Sequence, residues 1–118
     1  MALEKPIEYT IDDIYALPDG KRAELLDGTM YMMAPPSRKH QELSMYLSHK
    51  IQDHILQNKG NCSVYAAPFA VFLNEDDKNY VEPDISVICD KRKLTDAGCN
   101  GAPDWIVEIV SPGSRQMD

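Results

Sequence analysis

Two carboxylates stand where the surrounding sequence is apolar. Asp84 opens the run Ile85-Ser86-Val87-Ile88, and Glu108 lies inside Trp105-Ile106-Val107-Glu108-Ile109-Val110. A carboxylate is costly to bury in a strand unless it is paired or holds a metal. Strand alternation puts Trp105, Val107 and Ile109 on one face and Ile106, Glu108 and Val110 on the other. If the two runs lie side by side, Asp84 and Glu108 can share a hard divalent cation through oxygen ligands. A backbone carbonyl such as that of Ile109 would complete the coordination. Such a cation lowers the pKa of bound water and stabilises charge on a phosphoryl group. A second reading stays open: Asp84 caps a turn, and Glu108 pairs with Arg22, Lys50 or a basic residue further on.

Two other residues attract attention more weakly. Glu24 shares a strand face with Leu26, so it can point inward. Taken by itself it reads more simply as an edge-strand glutamate in solvent, or one paired with Arg22 or Lys21. His40 opens the apolar stripe of a helix, where a hydrogen-bonded histidine at the rim of a core is the ordinary reading. His49 and His54 are five positions apart, which does not align two metal ligands on a helix.

The elements that must hold these residues are legible in outline. Residues 1–8 read as a loose arm. Thr10 is an N-cap candidate for a short helix through Leu17, with Asp12 and Asp13 in its first turn and Pro18-Asp19-Gly20 as its stop. Residues 21–34 read as a β-hairpin about an Asp27-Gly28 type I′ turn. Ser37 caps a helix reaching about Asn58, closed by Lys59-Gly60, with His40, Leu43, Leu47, Ile51 and Ile55 in one stripe. Residues 61–73 are extended, with Pro68 forcing a bend or bulge. Residues 74–79 form a solvated polar turn. Asp84–Cys89 and Asp104–Val110 are strands, separated by a charged loop with a helical turn near Lys91–Leu94. The order gives a mixed α/β fold, a sheet with the long helix across one face.

Composition limits the function classes. A chain of 118 residues makes one domain with one core. No apolar run approaches membrane-spanning length, and the N-terminus lacks a signal-peptide pattern, so the expected location is cytoplasmic with no membrane partner. Cys62, Cys89 and Cys99 are odd in number and lack CxxC spacing, which predicts three reduced thiols. A net charge of −7 argues against coating nucleic acid by bulk electrostatics. It leaves room for an enzyme acting on nucleic acid, because bound cations reverse the sign of a local site. Ser111–Asp118 reads as a loop and a first helical turn capped by Ser114, so the domain is expected to be truncated at its C-terminus.

An ordered set of short segments resembles the Uma-two family of predicted endonucleases, in the restriction-endonuclease-like (PD-(D/E)xK) superfamily. The set comprises Tyr9-Thr10-Ile11-Asp12-Asp13, Arg22 to Gly28, Met33 to Ser37, His40-Gln41, Val81 to Ile88 and Pro103 to Pro112. The resemblance implies a restriction-endonuclease-like core, a mixed β-sheet flanked by helices. It also implies Mg²⁺- or Mn²⁺-dependent cleavage of DNA. It maps the metal-binding acid onto Asp84, the acid of the ExK motif onto Glu108 and the helix-one acid of the family onto Glu24. His40 becomes a residue lining the site. One position departs from the motif: Val110 stands where the ExK lysine belongs, and the resemblance places the family's lysine in a later helix. Arg115 stays protonated and cannot serve as a base. Two functions follow: a metal-dependent endonuclease, incomplete in this chain, or a non-catalytic nuclease-fold module for interaction or dimerisation. A homodimer is expected in either case.

Overall fold

The computed structural model describes residues 7–110. Helix α1 spans Ile11–Tyr15, and the Thr10 backbone N–H donates to Asp13 Oδ2 at 2.9 Å. It stops short of the expected Leu17, since Pro18 follows closely. Strands β1 (Arg22–Leu26) and β2 (Thr29–Met33) form the expected hairpin. Asp27 (φ 48°) and Gly28 (φ 82°) both take positive φ, as a type I′ turn requires. Helix α2 (Arg38–Gln57) starts at Ser37, whose Oγ accepts from the His40 N–H at 3.1 Å. At its end Lys59, not Gly60, adopts the left-handed conformation, and the Gly60 N–H donates to the Ile55 carbonyl at 2.9 Å.

The extended region 61–73 divides into β3 (Ser63–Ala66) and β4 (Val71–Phe72), separated by a cis Ala67-Pro68 bond. Then come β5 (Tyr80–Val81) and β6 (Ile85–Ile88). The expected turn at 91–94 is a 3₁₀ turn over Lys91–Lys93. The loop after it holds a hairpin that the sequence did not announce, β7 (Leu94–Thr95) with β8 (Gly98–Asn100). Strand β9 is Trp105–Val107, shorter than expected, so Glu108 lies just past its end.

These strands make two sheets. A six-stranded mixed sheet has the order β2-β1-β5-β4-β8-β7, antiparallel except for parallel β4–β8. A three-stranded antiparallel sheet has the order β3-β6-β9. Ile14, Ala23, Leu25 and Tyr80 form one buried cluster, and Val71, Ile88 and Cys99 another. All four residues of β6, the central strand of the smaller sheet, are buried. The α2 stripe is less covered than expected: Leu47, Ile51 and Ile55 are half-buried and Leu43 is exposed.

Three further expectations change. Cys62 and Cys89 are joined in a disulfide, their Cα atoms 4.0 Å apart, which overturns the reading of three reduced thiols. The β3–β6 register pairs Ser63 with Ile88, so the next pair outward brings Cys62 opposite Cys89 although they are 27 positions apart. Cys99 alone is free, and buried. Residues 74–79 are not a merely solvated tip: Asn79 is buried, and its Oδ1 accepts from the Asp27 N–H at 3.0 Å. The N-terminal arm is tied down from residue 8 onward, by a Glu8–Lys78 ion pair (2.8 Å) and a Tyr9 N–H bond to the Gly28 carbonyl (2.8 Å). The helix start expected at Ser114, with Arg115, lies outside the described residues.

Candidate active site

The chain passes from one sheet to the other through three residues, Glu82, Pro83 and Asp84. Strand β5 ends at Val81 and β6 begins at Ile85. The β6–β9 register pairs Ile85 with Val107, so one step further sets Asp84 opposite Glu108. Directly opposed residues of an antiparallel pair have their Cβ atoms about 5 Å apart. Continued past the end of β9, this register sets the two carboxylates side by side, as sharing a cation would require.

Asp84 is held on both oxygens. Its Oδ2 accepts from the Ile109 backbone N–H at 2.7 Å, and its Oδ1 lies 3.0 Å from His40 Nε2. Both side chains are largely sequestered, 18% exposed for His40 and 13% for Asp84. His40 reaches this point because the Ser37 cap fixes the first turn of α2. The Glu108 carboxyl lies close enough to Asp84 and Glu24 to feel both negative charges. Glu24 comes from β1 in the other sheet, and its Oε2 accepts from the Glu82 backbone N–H at 2.9 Å.

These placements create an electrostatic conflict. The Glu108 carboxyl is pushed up from 4.5 to about 7, first by loss of water and then by the negative charges of Asp84 and Glu24. The residue as a whole remains exposed, so screening by water limits any energy read from this shift. The alternative pairing of Glu108 with Arg22 or Lys50 is absent. Arg22 Nε bonds Glu82 Oε1 at 2.6 Å, and Lys50 Nζ lies 5.6 Å from the centre of the Tyr46 ring.

The donor set fits a hard cation. Two opposed carboxylates crowded by a third offer oxygen ligands whose mutual repulsion a cation would relieve. Among the described residues, no three His, Cys, Asp or Glu side chains converge into a ready-made metal cage. The arrangement suits an ion such as Mg²⁺, which binds through one or two carboxylates and keeps several waters.

The structure thus brings Glu24, His40, Asp84 and Glu108 to one junction. It adds Glu82, which the sequence reading passed over. Glu82 is 7% exposed, and takes Arg22 Nε at 2.6 Å and Tyr80 Oη at 2.7 Å. Its signal was available: a glutamate directly before Pro-Asp, between two apolar runs. Val110, at the position of the motif's lysine, is 59% exposed.

Residues 11–118 match the Uma2 (Uma-two) family, described as "Putative restriction endonuclease". The "Uncharacterized protein slr1290" of Synechocystis sp. (strain ATCC 27184 / PCC 6803 / Kazusa) is 29% identical over 98 residues, which make up 83% of this chain and 50% of that protein. The chain therefore spans half the length of this curated relative. The crystal structure of a "putative nuclease belonging to DUF820" from Anabaena variabilis ATCC 29413 superposes with a TM-score of 0.66 at 21% identity. That superposition covers 92% of this chain and 62% of the other, and the likeness is one of fold.

Proposed function

The chain belongs to the Uma2 family, and from that premise we propose that it is a metal-dependent endonuclease hydrolysing DNA phosphodiester bonds, with Asp84 and Glu108 as its metal ligands. The observation that carries this reading is the opposed carboxylate pair at the end of β6–β9, with Glu108 raised to about 7 by burial and then by its acidic neighbours. Mg²⁺ or Mn²⁺ bound there would supply an activated water and charge stabilisation at the scissile phosphate. Asp84 presents a fixed carboxylate, because the Ile109 N–H and His40 Nε2 hold one oxygen each. Glu24 adds negative charge from the neighbouring sheet and keeps the site selective for cations. His40 orients Asp84 and closes one side of the site.

Val110 favours a second reading. Without a lysine beside Glu108, the chain binds the cation but does not cleave, and serves as a nuclease-fold interaction module. Nicking of supercoiled plasmid DNA separates the two. The endonuclease reading expects Mg²⁺- or Mn²⁺-stimulated nicking, abolished by a chelator and by Glu108→Ala. Nicking that survives Glu108→Ala would refute the assignment. Mn²⁺ binding without nicking would favour the module.

A further inference from the structure

Glu82 is a buried acid beside this site that the proposed metal chemistry does not use. A buried glutamate is normally avoided, and replacing a buried ion pair with apolar residues is often neutral or stabilising. Here the acid is kept between a guanidinium and a phenol. Arg22 Nε donates to Oε1 at 2.6 Å and Tyr80 Oη donates to Oε2 at 2.7 Å, so both carboxylate oxygens are engaged. Burial raises the Tyr80 hydroxyl above its ordinary range, with the hydrogen bond to Glu82 adding to the effect, so it stays a donor.

The backbone of the same residue does something different. Its N–H donates to Glu24 Oε2 at 2.9 Å. Pro83 follows, and a residue before proline is confined to extended conformations, which limits where that N–H can point. The side-chain anchors then fix what remains of its freedom. Arg22 and Glu24 lie on β1, two positions apart, while Tyr80 lies on β5, its neighbour in the same sheet. Glu82 therefore locks the end of β5 to β1 at the step where the chain crosses to Asp84.

We infer that Glu82 is a positioning residue: through its Arg22 and Tyr80 anchors it holds the N–H that aims the Glu24 carboxylate at the Asp84–Glu108 pair. The inference rests on the proposed metal site for its functional meaning, but its geometric claim stands by itself. One oxygen of Glu24 is tethered by Glu82, which sets the direction of the other. Groups that orient the acids around a metal act in this manner, and their loss weakens metal affinity about tenfold or more.

The test measures Mn²⁺ affinity per folded molecule in the unmodified chain and in Glu82→Ala, Glu82→Gln, Tyr80→Phe, Glu24→Gln and the Glu24→Gln/Glu82→Ala double variant. It also follows the ¹³C resonance of the Glu24 carboxyl in metal-free protein. The expected result is a loss of about tenfold in Glu82→Ala, smaller in Glu82→Gln, which keeps part of the network. That loss should vanish in the Glu24→Gln background, because a residue acting through Glu24 has nothing left to position. The Glu24 resonance should move in Glu82→Ala and in Tyr80→Phe. If Glu82→Ala fails to fold, Glu82→Gln and Tyr80→Phe carry the comparison. A lowered melting temperature with unchanged affinity and an unmoved Glu24 resonance would overturn the inference. So would additive effects in the double variant. If the unmodified chain binds no Mn²⁺, the proposed function falls, and the metal-free Glu24 resonance decides the positioning claim alone.

Discussion

Glu108 allows the sharpest trial, because protons and a cation compete for the same carboxyl. With the group titrating at about 7, roughly one molecule in a hundred carries the ionised form at about pH 5, and about nine in ten at about pH 8. If Glu108 is a ligand, Mn²⁺ affinity should rise across that window, by at most about ninetyfold. Water screens part of an exposed carboxyl, so the rise should fall short of that limit. Titration calorimetry at three pH values measures it. Glu108→Gln should bind weakly and lose most of the pH dependence, and subtracting it removes contributions from Asp84 and His40. The same shift has a consequence in the metal-free chain. Between pH 4.5 and about 7 the folded state holds a proton on Glu108 that the unfolded state has released. Stability must therefore fall as pH rises through that window, and Glu108→Gln should flatten the decline. A flat Mn²⁺ affinity between about pH 5 and pH 8, or equal slopes in the two proteins, would refute the argument.

Thiol counting checks the covalent link between β3 and β6. Unfolded without reductant, the chain should show one reactive thiol, Cys99, and all three cysteines after reduction. Folded, Cys99 should react slowly, because burial raises its thiol pKa. Three reactive thiols before reduction would contradict the Cys62–Cys89 bridge. Val110→Lys tests the missing lysine. Burial alternates from Val107 to Val110, so residues 108 and 110 share the exposed side, and an ammonium there should pull the Glu108 carboxyl down from about 7 toward 4.5. The Glu108 ¹³C titration reads this, and an unmoved midpoint would show that position 110 does not face the carboxyl.

Local signals in the sequence carried the parts that local chemistry determines. Asp27-Gly28 specified the hairpin because few residues tolerate two consecutive positive φ values, and Ser37 with Lys59-Gly60 bracketed α2 almost to the residue. The two carboxylates stood out because each adjoins an apolar run, although both lie just outside the strands and Glu108 is exposed rather than buried in β9. Pairing between distant segments was not legible. Nothing in Cys62 or Cys89 announces that β3 and β6 are neighbours, and CxxC spacing was the wrong signal for a cross-strand bridge. The β7–β8 hairpin was hidden by the charge of residues 90–97, since its stability comes from β8 lying parallel against β4. Glu82 was missed because its neighbour, Asp84, took the chemical reading of the whole Val81–Ile85 segment. Only burial and the approach of Arg22 distinguish the two acids.

The roles of those two acids explain how one junction collects residues from three elements. Glu24 on β1 touches the site through the Glu82 N–H, and His40 on α2 touches it through Asp84 Oδ1. Ile109, beyond β9, donates to Asp84 Oδ2, and the charge of Asp84 acts on Glu108 beside it. Each of these contacts ends on residue 82 or residue 84, and the proline between them removes a backbone donor and much of the link's freedom. The two sheets need not be aligned by a broad interface for the acids to meet. It is enough that the three-residue crossover is rigid and that each sheet docks one acid onto it. Perturbing Glu108 should then alter one ligand, while perturbing residues 82–84 should disturb the placement of Glu24, His40 and Glu108 together. The same logic accounts for the charge conflict. A crossover that gathers three carboxylates from separate elements stores their repulsion in a place where packing cannot relieve it, and a bound cation can.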